Sequence, residues 1–275
     1  MSQSRNLSID TVAGIMILYM VYTHVCQHFN LQQSNCYLIL ERFLYFFMPW
    51  FFFKAGMFYN SREGFMLKSI DRLIKPFLIY SLIGHLCYVF ICAWKGTVNI
   101  QEIFPIYSLL MFGAIPGNLP LWFLLTLFIC RIIFDKLMRC HVNPLLIAFV
   151  AIMGAFGLHI IGFSRPYYVV NSMTGMFFMS IGYCVSKKYR ITPPFLLLCV
   201  IVYALSIIFP SFVGMRSNRL YYGYYLLWII YSVCGIVCIN KVVEYCPSLN
   251  KLRLYVFGRY SMEIYCTHWI ILLFL

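Results

Sequence analysis

The stretch "SIDTVAGIMILYMVYTH", residues 8–24, decides the fold. Between Asp10 and His24 it holds no charged residue, and the apolar run continues to about residue 27. A run of about 20 mostly apolar residues is the length a helix needs to cross a bilayer. It is too long for the core of a cleavable signal and lacks a small-x-small cleavage pattern, so it reads as a retained first helix. Asp10 and His24 are 14 residues apart. That separation is about 21 Å along a helix axis and only roughly 40° around it, so one face carries both. An ionisable group is costly in hydrocarbon, and one retained there faces protein interior or a wet cavity. Two readings of His24 stand side by side: a packed ring bonded to a neighbouring helix or seated at headgroup level, and a functional group lining a cavity.

The rest of the chain repeats the pattern. Of its 275 residues, 63% are hydrophobic and only 11% charged, more apolar surface than a soluble domain can hide. Apolar blocks near 8–28, 38–59, 74–94, 119–138, 143–163, 168–186, 194–213, 220–240 and 257–275 predict an all-α, polytopic membrane bundle of about nine helices. Between the third and fourth lies "KGTVNIQEIFPIYSLLMFGAIPGNLP", too polar and too broken by Pro and Gly to span. Its middle, "IFPIYSLLMF", is expected to form a re-entrant or interfacial helix lining a cavity. No internal repeat or soluble appendage interrupts the pattern, and one membrane domain over 1–275 is expected.

A net charge of +13 would point to nucleic acid in a soluble protein, but here the basic residues sit mainly in short loops. With the N-terminus in the cytoplasm, the inner loops carry Arg5, Arg62, Lys68, Arg72, Lys75, Lys136, Arg139, Lys187, Lys188, Arg190, Lys241, Lys251, Arg253 and Arg259. The outer ones carry Arg42, Lys95, Arg165, Arg216 and Arg219, while Lys54 and Arg131 fall within spans. This bias obeys the positive-inside rule, so the chain is expected to start in the cytoplasm and, after nine spans, to end outside. No nucleic-acid partner is implied. The twelve cysteines are scattered along apolar segments without metal-ligand spacing, and only Cys26 and Cys36, flanking the first loop, are placed to pair. Free thiols acting as small hydrophobes, and no metal site, are the expectation.

Other polar residues sit where lipid should be. Lys54, in "MPWFFFKAGMFY", either snorkels towards the inner interface or points into the bundle, where the small residues after it let a helix or ligand come close. Arg72 and Lys75, three apart at a cytoplasmic helix end, either clamp phosphates or simply signal topology. Trp122 stands near the outer end of the fourth segment, where aromatic-belt tryptophans are common. His85 and His159 read as satisfied core or interface groups, His28 and His141 as loop residues. Glu263 and His268 both fall in the last 13 residues and are not expected to face lipid.

Taken together, these pieces resemble the acyltransferase type 3 family, bacterial integral-membrane O-acyltransferases of surface glycans. The family's first helix carries an acid, a basic-Gly pair and a histidine, matched by Asp10, Ala13-Gly14 and His24. Its second helix reads like "MPLFFFLSG", matched by Met48 to Gly56, and its "R-L-x-x-P" pattern is matched by Arg72 to Pro76. "LWFL" at 121–124 and "GRYSMEIYCTH" at 258–268 complete five motifs in the family's order. Two features depart from it: Ala13 stands where the family usually has Arg or Lys, and the chain stops at Leu275 where the family usually continues through a tenth helix. A truncated or unusually short member is therefore expected, with Lys54 as a substitute for the missing charge.

The resemblance implies an acyl-CoA donor, commonly acetyl-CoA, entering from the cytoplasm of a bacterial inner membrane, and a sugar or polysaccharide hydroxyl as acceptor. No bound cofactor is implied. Arg72, Lys75 and Trp122 are then the candidate acyl-CoA residues, and His24 the catalytic residue. The ring acts either as general base or as a transiently acylated nucleophile. Asp10, Lys54, Glu263 and His268 are supporting polar groups, with Asp10 too far from His24 to touch it and suited to a cytoplasmic base nearby. The rival classes are a transporter or flippase for a glycan or lipid-linked sugar, which would also need polar groups within the membrane, and an inactive remnant of the family.

Overall fold

A computed structural model describes residues 6–97, 99–163, 165–187, 191–211, 215 and 225–275, without the side chains of Gln101 and Asn250. Arg5, Lys188, Arg190, Arg216 and Arg219, used above to orient the chain, lie outside the described residues. The helices in chain order are α1 Leu7–His28, α2 Asn35–Leu44, α3 Phe47–Met57, α4 Phe65–Ser69, α5 Lys75–Trp94, α6 Ile100–Ile103 and α7 Ile106–Phe112. They continue as α8 Trp122–Arg139, α9 Pro144–Ile160, α10 Tyr167–Lys187, α11 Pro193–Ile208, α12 Tyr225–Tyr245, α13 Leu254–Arg259 and α14 Ser261–Leu272. Among the described residues there is no strand. Six stretches among the described residues are long and apolar enough to cross a membrane by length and composition, and α9 and α11 are shorter apolar helices.

The breaks have local causes. Pro49 has no N–H and interrupts the ladder where α2 gives way to α3. Pro76 likewise denies the carbonyl of Arg72 its partner, and the chain widens into a π-turn, Ile70–Ile74, inside the basic motif. Asn6 and Asn143 start α1 and α9 by accepting the N–H of Ile9 at 3.2 Å and of Leu145 at 3.0 Å. On α5 the buried positions are Phe77, Ser81, Gly84 and Cys92, whereas Leu78, Leu82 and Leu86, four apart on another face, are each about 60% exposed. Small and polar residues inside with leucines outside reverse a soluble helix, as a lipid-facing one requires.

The chain packs as two compact units. The first comprises Met1–Phe51, Ile191–Phe212 and Tyr222–Tyr265, and the second Phe52–Arg190, Val213–Tyr221 and Cys266–Leu275. In the first, the Trp50 indole N–H donates to Asn240 Oδ1 at 3.0 Å, and the Tyr45 hydroxyl donates to Ser206 Oγ at 3.1 Å. Cys199, Cys234, Val237 and Cys238 form an apolar cluster between α11 and α12. All twelve cysteines, Cys26 and Cys36 included, are free thiols.

In the second unit α9 and α8 flank α10, and α3 meets α10 backbone to backbone. A Cβ on Gly56 would lie 1.8 Å from the Met179 carbonyl oxygen, and one on Gly182 2.1 Å from that of Phe53. The small residue after Lys54 thus admits a helix. Residues 113–121 form a Gly- and Pro-broken segment ending in a 3-10 turn, Pro116–Leu121, with Asn118 non-helical at φ −155°, ψ 68°. It folds back to the midpoint of α5, where Gly84 and Gly117 touch and His85 Nε2 meets the Ile103 carbonyl at 3.0 Å. Two separate points of 100–121, the Ile103 carbonyl and Gly117, thus reach half-way along the 20-residue α5.

Three boundaries moved. The eighth segment, α12 at Tyr225–Tyr245, runs past 240, while 220–224 lie outside the described residues; Lys241 lies inside it, paired with Glu244 at 2.8 Å, which removes the loop assignment of that lysine. The last segment breaks at Tyr260 into α13 and α14. His28 is the final residue of α1 rather than a loop residue, while His141 does lie in a turn at φ 57°.

Candidate functional site

In the first unit, α1 is docked by its N-terminal half. Asp10 is buried in the first turn, where a carboxylate also complements the helix dipole. Cβ atoms on Gly14 and Gly258 would lie 2.0 Å from the Leu254 carbonyl oxygen and 1.8 Å from that of Asp10. Ala13, the residue before Gly14, is wholly buried, with 0% exposure. The cation near Asp10 comes instead from the next residue of α13: Arg259 Nε stands 3.9 Å from Asp10 Oδ2, its guanidinium 4.9 Å above the Tyr255 ring. Arg259 is thus a cation within ion-pair reach of Asp10, and its sequence signal was its place directly after a glycine that must meet α1.

His24 lies four residues before the end of α1 and is half-buried. Beside it the Thr23 hydroxyl donates to the Tyr19 carbonyl at 2.9 Å. The helix is unbroken, so Asp10 and His24 stay about 21 Å apart as the rise per residue dictates. Glu263 is exposed in the first turn of α14, so it is not a group enclosed within the bundle, and its carboxylate suits the positive end of the helix dipole.

The second unit holds the other candidates. Lys54 is half-buried in the last turn of α3, a position where a cation meets the negative end of the dipole. Arg72 and Lys75 are both exposed around the π-turn. They do not form an isolated clamp, because Lys75 Nζ is 2.6 Å from Asp71 Oδ1. An exposed pair of this kind contributes little stability and opens readily.

A residue that sequence reasoning left without a role lies close by. Arg131, half-buried on α8, rests 4.9 Å above the Phe65 ring and reaches Ser69 Oγ at 3.4 Å; Arg72 and Asp135 are the charges that bear on it. Asp135 is taken elsewhere: its Oδ1 accepts from Tyr59 at 2.8 Å and Ser61 at 3.1 Å, and its Oδ2 from Arg139 at 2.7 Å. Two guanidiniums thus stand at the basic motif with no carboxylate in contact with either among the described residues. An arginine inside "FLLTLFICRIIF" was the available signal.

Trp122 opens α8 and is buried, so it is not an aromatic-belt residue, and its carbonyl accepts from Thr126 Oγ1 at 2.9 Å. His268 is buried on α14, its ring edge-on to Trp269 at 6.5 Å. Asn118, wholly buried, donates through Nδ2 to the carbonyl of Cys266 two residues earlier, at 2.9 Å. Among the described residues no three His, Cys, Asp or Glu side chains come together to hold a metal ion.

Helices long and apolar enough to cross a membrane, with Asp10 buried in the first unit and His268 in the second, define a membrane protein with ionisable groups inside its helical units. The acyltransferase 3 family, described as an acyltransferase domain, matches residues 6–275, and the chain belongs to it. It is a membrane acyltransferase. No curated protein and no solved structure matches the chain.

Proposed function

We propose that the protein transfers an acyl group, acetyl in the simplest case, from cytoplasmic acyl-CoA to a sugar hydroxyl of an exported or surface glycan, across a bacterial inner membrane that the chain enters from the cytoplasmic side. The observation that carries this reading is the family match over 6–275, which takes in all five motifs at once. The donor's phosphates fit the guanidiniums of Arg72 and Arg131, with Lys75 released from Asp71 as an anion arrives. Trp122 offers an apolar wall to the pantetheine arm.

His24 is the proposed catalytic residue. A neutral ring nitrogen takes the proton of the acceptor hydroxyl while its oxygen attacks the thioester carbonyl. The C–S bond breaks, and the departing sulfur takes the proton back from the imidazolium as CoA thiol. In the covalent alternative the ring nitrogen itself forms and then loses the acyl bond. Rapid-mixing assays separate the two, because only the second accumulates an acyl-enzyme burst.

The test is transfer of labelled acetyl from acetyl-CoA to glycan in inverted membrane vesicles. Loss of a general base costs about 10²–10⁴-fold in rate, so His24→Ala should lose activity on that scale at an unchanged membrane level. Full activity in the variant, or movement of unmodified glycan by the wild type, would sink the proposal.

A further inference from the structure

Half-way along α5, three buried polar atoms that the proposed mechanism does not use belong to residues at, or one helical turn from, a single backbone contact. Ser81 and His85 are one turn apart, with Gly84 between them. Gly84 lies against the re-entrant segment so closely that its Cβ would fall 2.6 Å from the Gly117 carbonyl oxygen and 2.9 Å from Asn118 Cβ. The Oγ of Ser81, the Nδ1 of His85 and the Oδ1 of Asn118 are buried without a hydrogen-bond partner. A buried polar atom left alone costs about 1–3 kcal/mol, so three at one contact call for a common explanation.

Their hydrogen-bonding sense is fixed by their other halves. The Ile103 carbonyl can only accept, so His85 carries its proton on Nε2 and offers a lone pair at Nδ1. The Cys266 carbonyl can only accept, so Asn118 presents its amide nitrogen there and keeps Oδ1 as a second acceptor. Ser81 is a hydroxyl that both gives and takes. Two acceptors and a hydroxyl match a ligand bearing adjacent O–H groups. Non-helical backbone at this depth, such as that of Asn118, is tolerated only where it is buried in protein or lines a water-filled cavity.

We infer that Ser81, His85 and Asn118 form a binding subsite for neighbouring hydroxyls of a sugar-like acceptor, one O–H donating to His85 Nδ1 and the next to Asn118 Oδ1. This rests on the reading of the protein as an acyltransferase of hydroxylated acceptors, and it gives the re-entrant segment a task in holding that acceptor. His85 acts here through binding and carries no step of the acyl transfer.

The subsite is tested with the full chain in nanodiscs, labelled with 15N-histidine, the His85 signals being assigned with His85→Gln. The probe is a mixture of methyl glucoside, methyl galactoside and methyl mannoside. The expected result is a saturable shift of the His85 Nδ1 signal, its apparent affinity weakened about tenfold in Ser81→Ala, as loss of one hydrogen bond implies. Asn118→Leu should abolish the shift; should that variant fail to fold, Ser81→Ala carries the test alone. A His85 signal that ignores the glycosides, or moves equally in Ser81→Ala, means the atoms hold water only and overturns the subsite. Acetyl transfer from acetyl-CoA is measured on the same preparation. A shifting signal without transfer keeps the subsite and removes the enzymatic reading; transfer without a shift does the reverse.

Discussion

The crossing of α1 and α13 offers the most direct quantitative test. A Cβ on Gly258 would sit 1.8 Å from the Asp10 carbonyl oxygen, whereas ordinary contact begins at 3.4 Å, so Gly258→Ala forces the helices apart by the difference, about 1.6 Å. Both sides of the clash are backbone, so no side-chain rotation relieves it. Overpacking of this kind costs about 1–3 kcal/mol. Parting also stretches the Asp10–Arg259 pair, already 3.9 Å long and with Arg259 41% exposed, which adds about 0–1 kcal/mol. At about 2–4 °C per kcal/mol for a chain of this size, Tm should fall by roughly 5–10 °C. The control is Gly157→Ala on α9, where an added Cβ meets nothing within 4 Å. There the gain in helix propensity, about 0.5–1 kcal/mol, should leave Tm level or higher. Gly14→Ala, at 2.0 Å from the Leu254 carbonyl oxygen, should resemble Gly258→Ala. The two together should cost less than their sum, because helices already parted need not part again. Thermal unfolding in nanodiscs, followed by tryptophan fluorescence, reads all four variants against wild type. A Gly258→Ala variant as stable as wild type, or a Gly157→Ala variant equally damaged, refutes the packing argument.

Three further outcomes are expected. Trp50→Phe keeps the six-membered ring but removes the indole N–H and strands Asn240 Oδ1, losing a 3.0 Å bond and about 1–3 kcal/mol, seen as a lower Tm that Trp50→Phe with Asn240→Leu partly restores. The Tyr59 hydroxyl, outside the spans, is pushed up from 10.0 to about 12 by burial, against the lowering pull of Ser61 and with Asp135 adding to the rise. Its folded-state value is raised, so its contribution is whole below pH 10 and lost as pH climbs through about 12; alkaline unfolding of Tyr59→Phe should lack that decline, and an identical profile would remove Tyr59 as its source. Lys54→Ala should abolish acyl transfer at normal membrane level if this lysine supplies the charge missing at Ala13, and an unimpaired variant leaves Arg259 as the cation that serves Asp10.

Hydrophobic run length alone determined that the chain is helical and built for a bilayer, and it placed α1, α5, α9 and α10 within a few residues of their ends. That is possible because a helix satisfies its backbone internally, so its existence depends on neighbours along the chain. The motif order likewise made the family legible before any contact was known. What partners a polar group lies in pairs of residues far apart in sequence. Arg259 beside Asp10 depends on two glycines about 244 residues apart meeting at one crossing, and Asn118 reaches Cys266 across 148 residues. Periodicity carries no record of such distances. Exposure behaves the same way: Trp122 proved buried and Glu263 exposed because neighbouring helices cover one and not the other. The one-dimensional pattern therefore names the helices and their expensive polar residues, and only tertiary packing says what each of those residues touches.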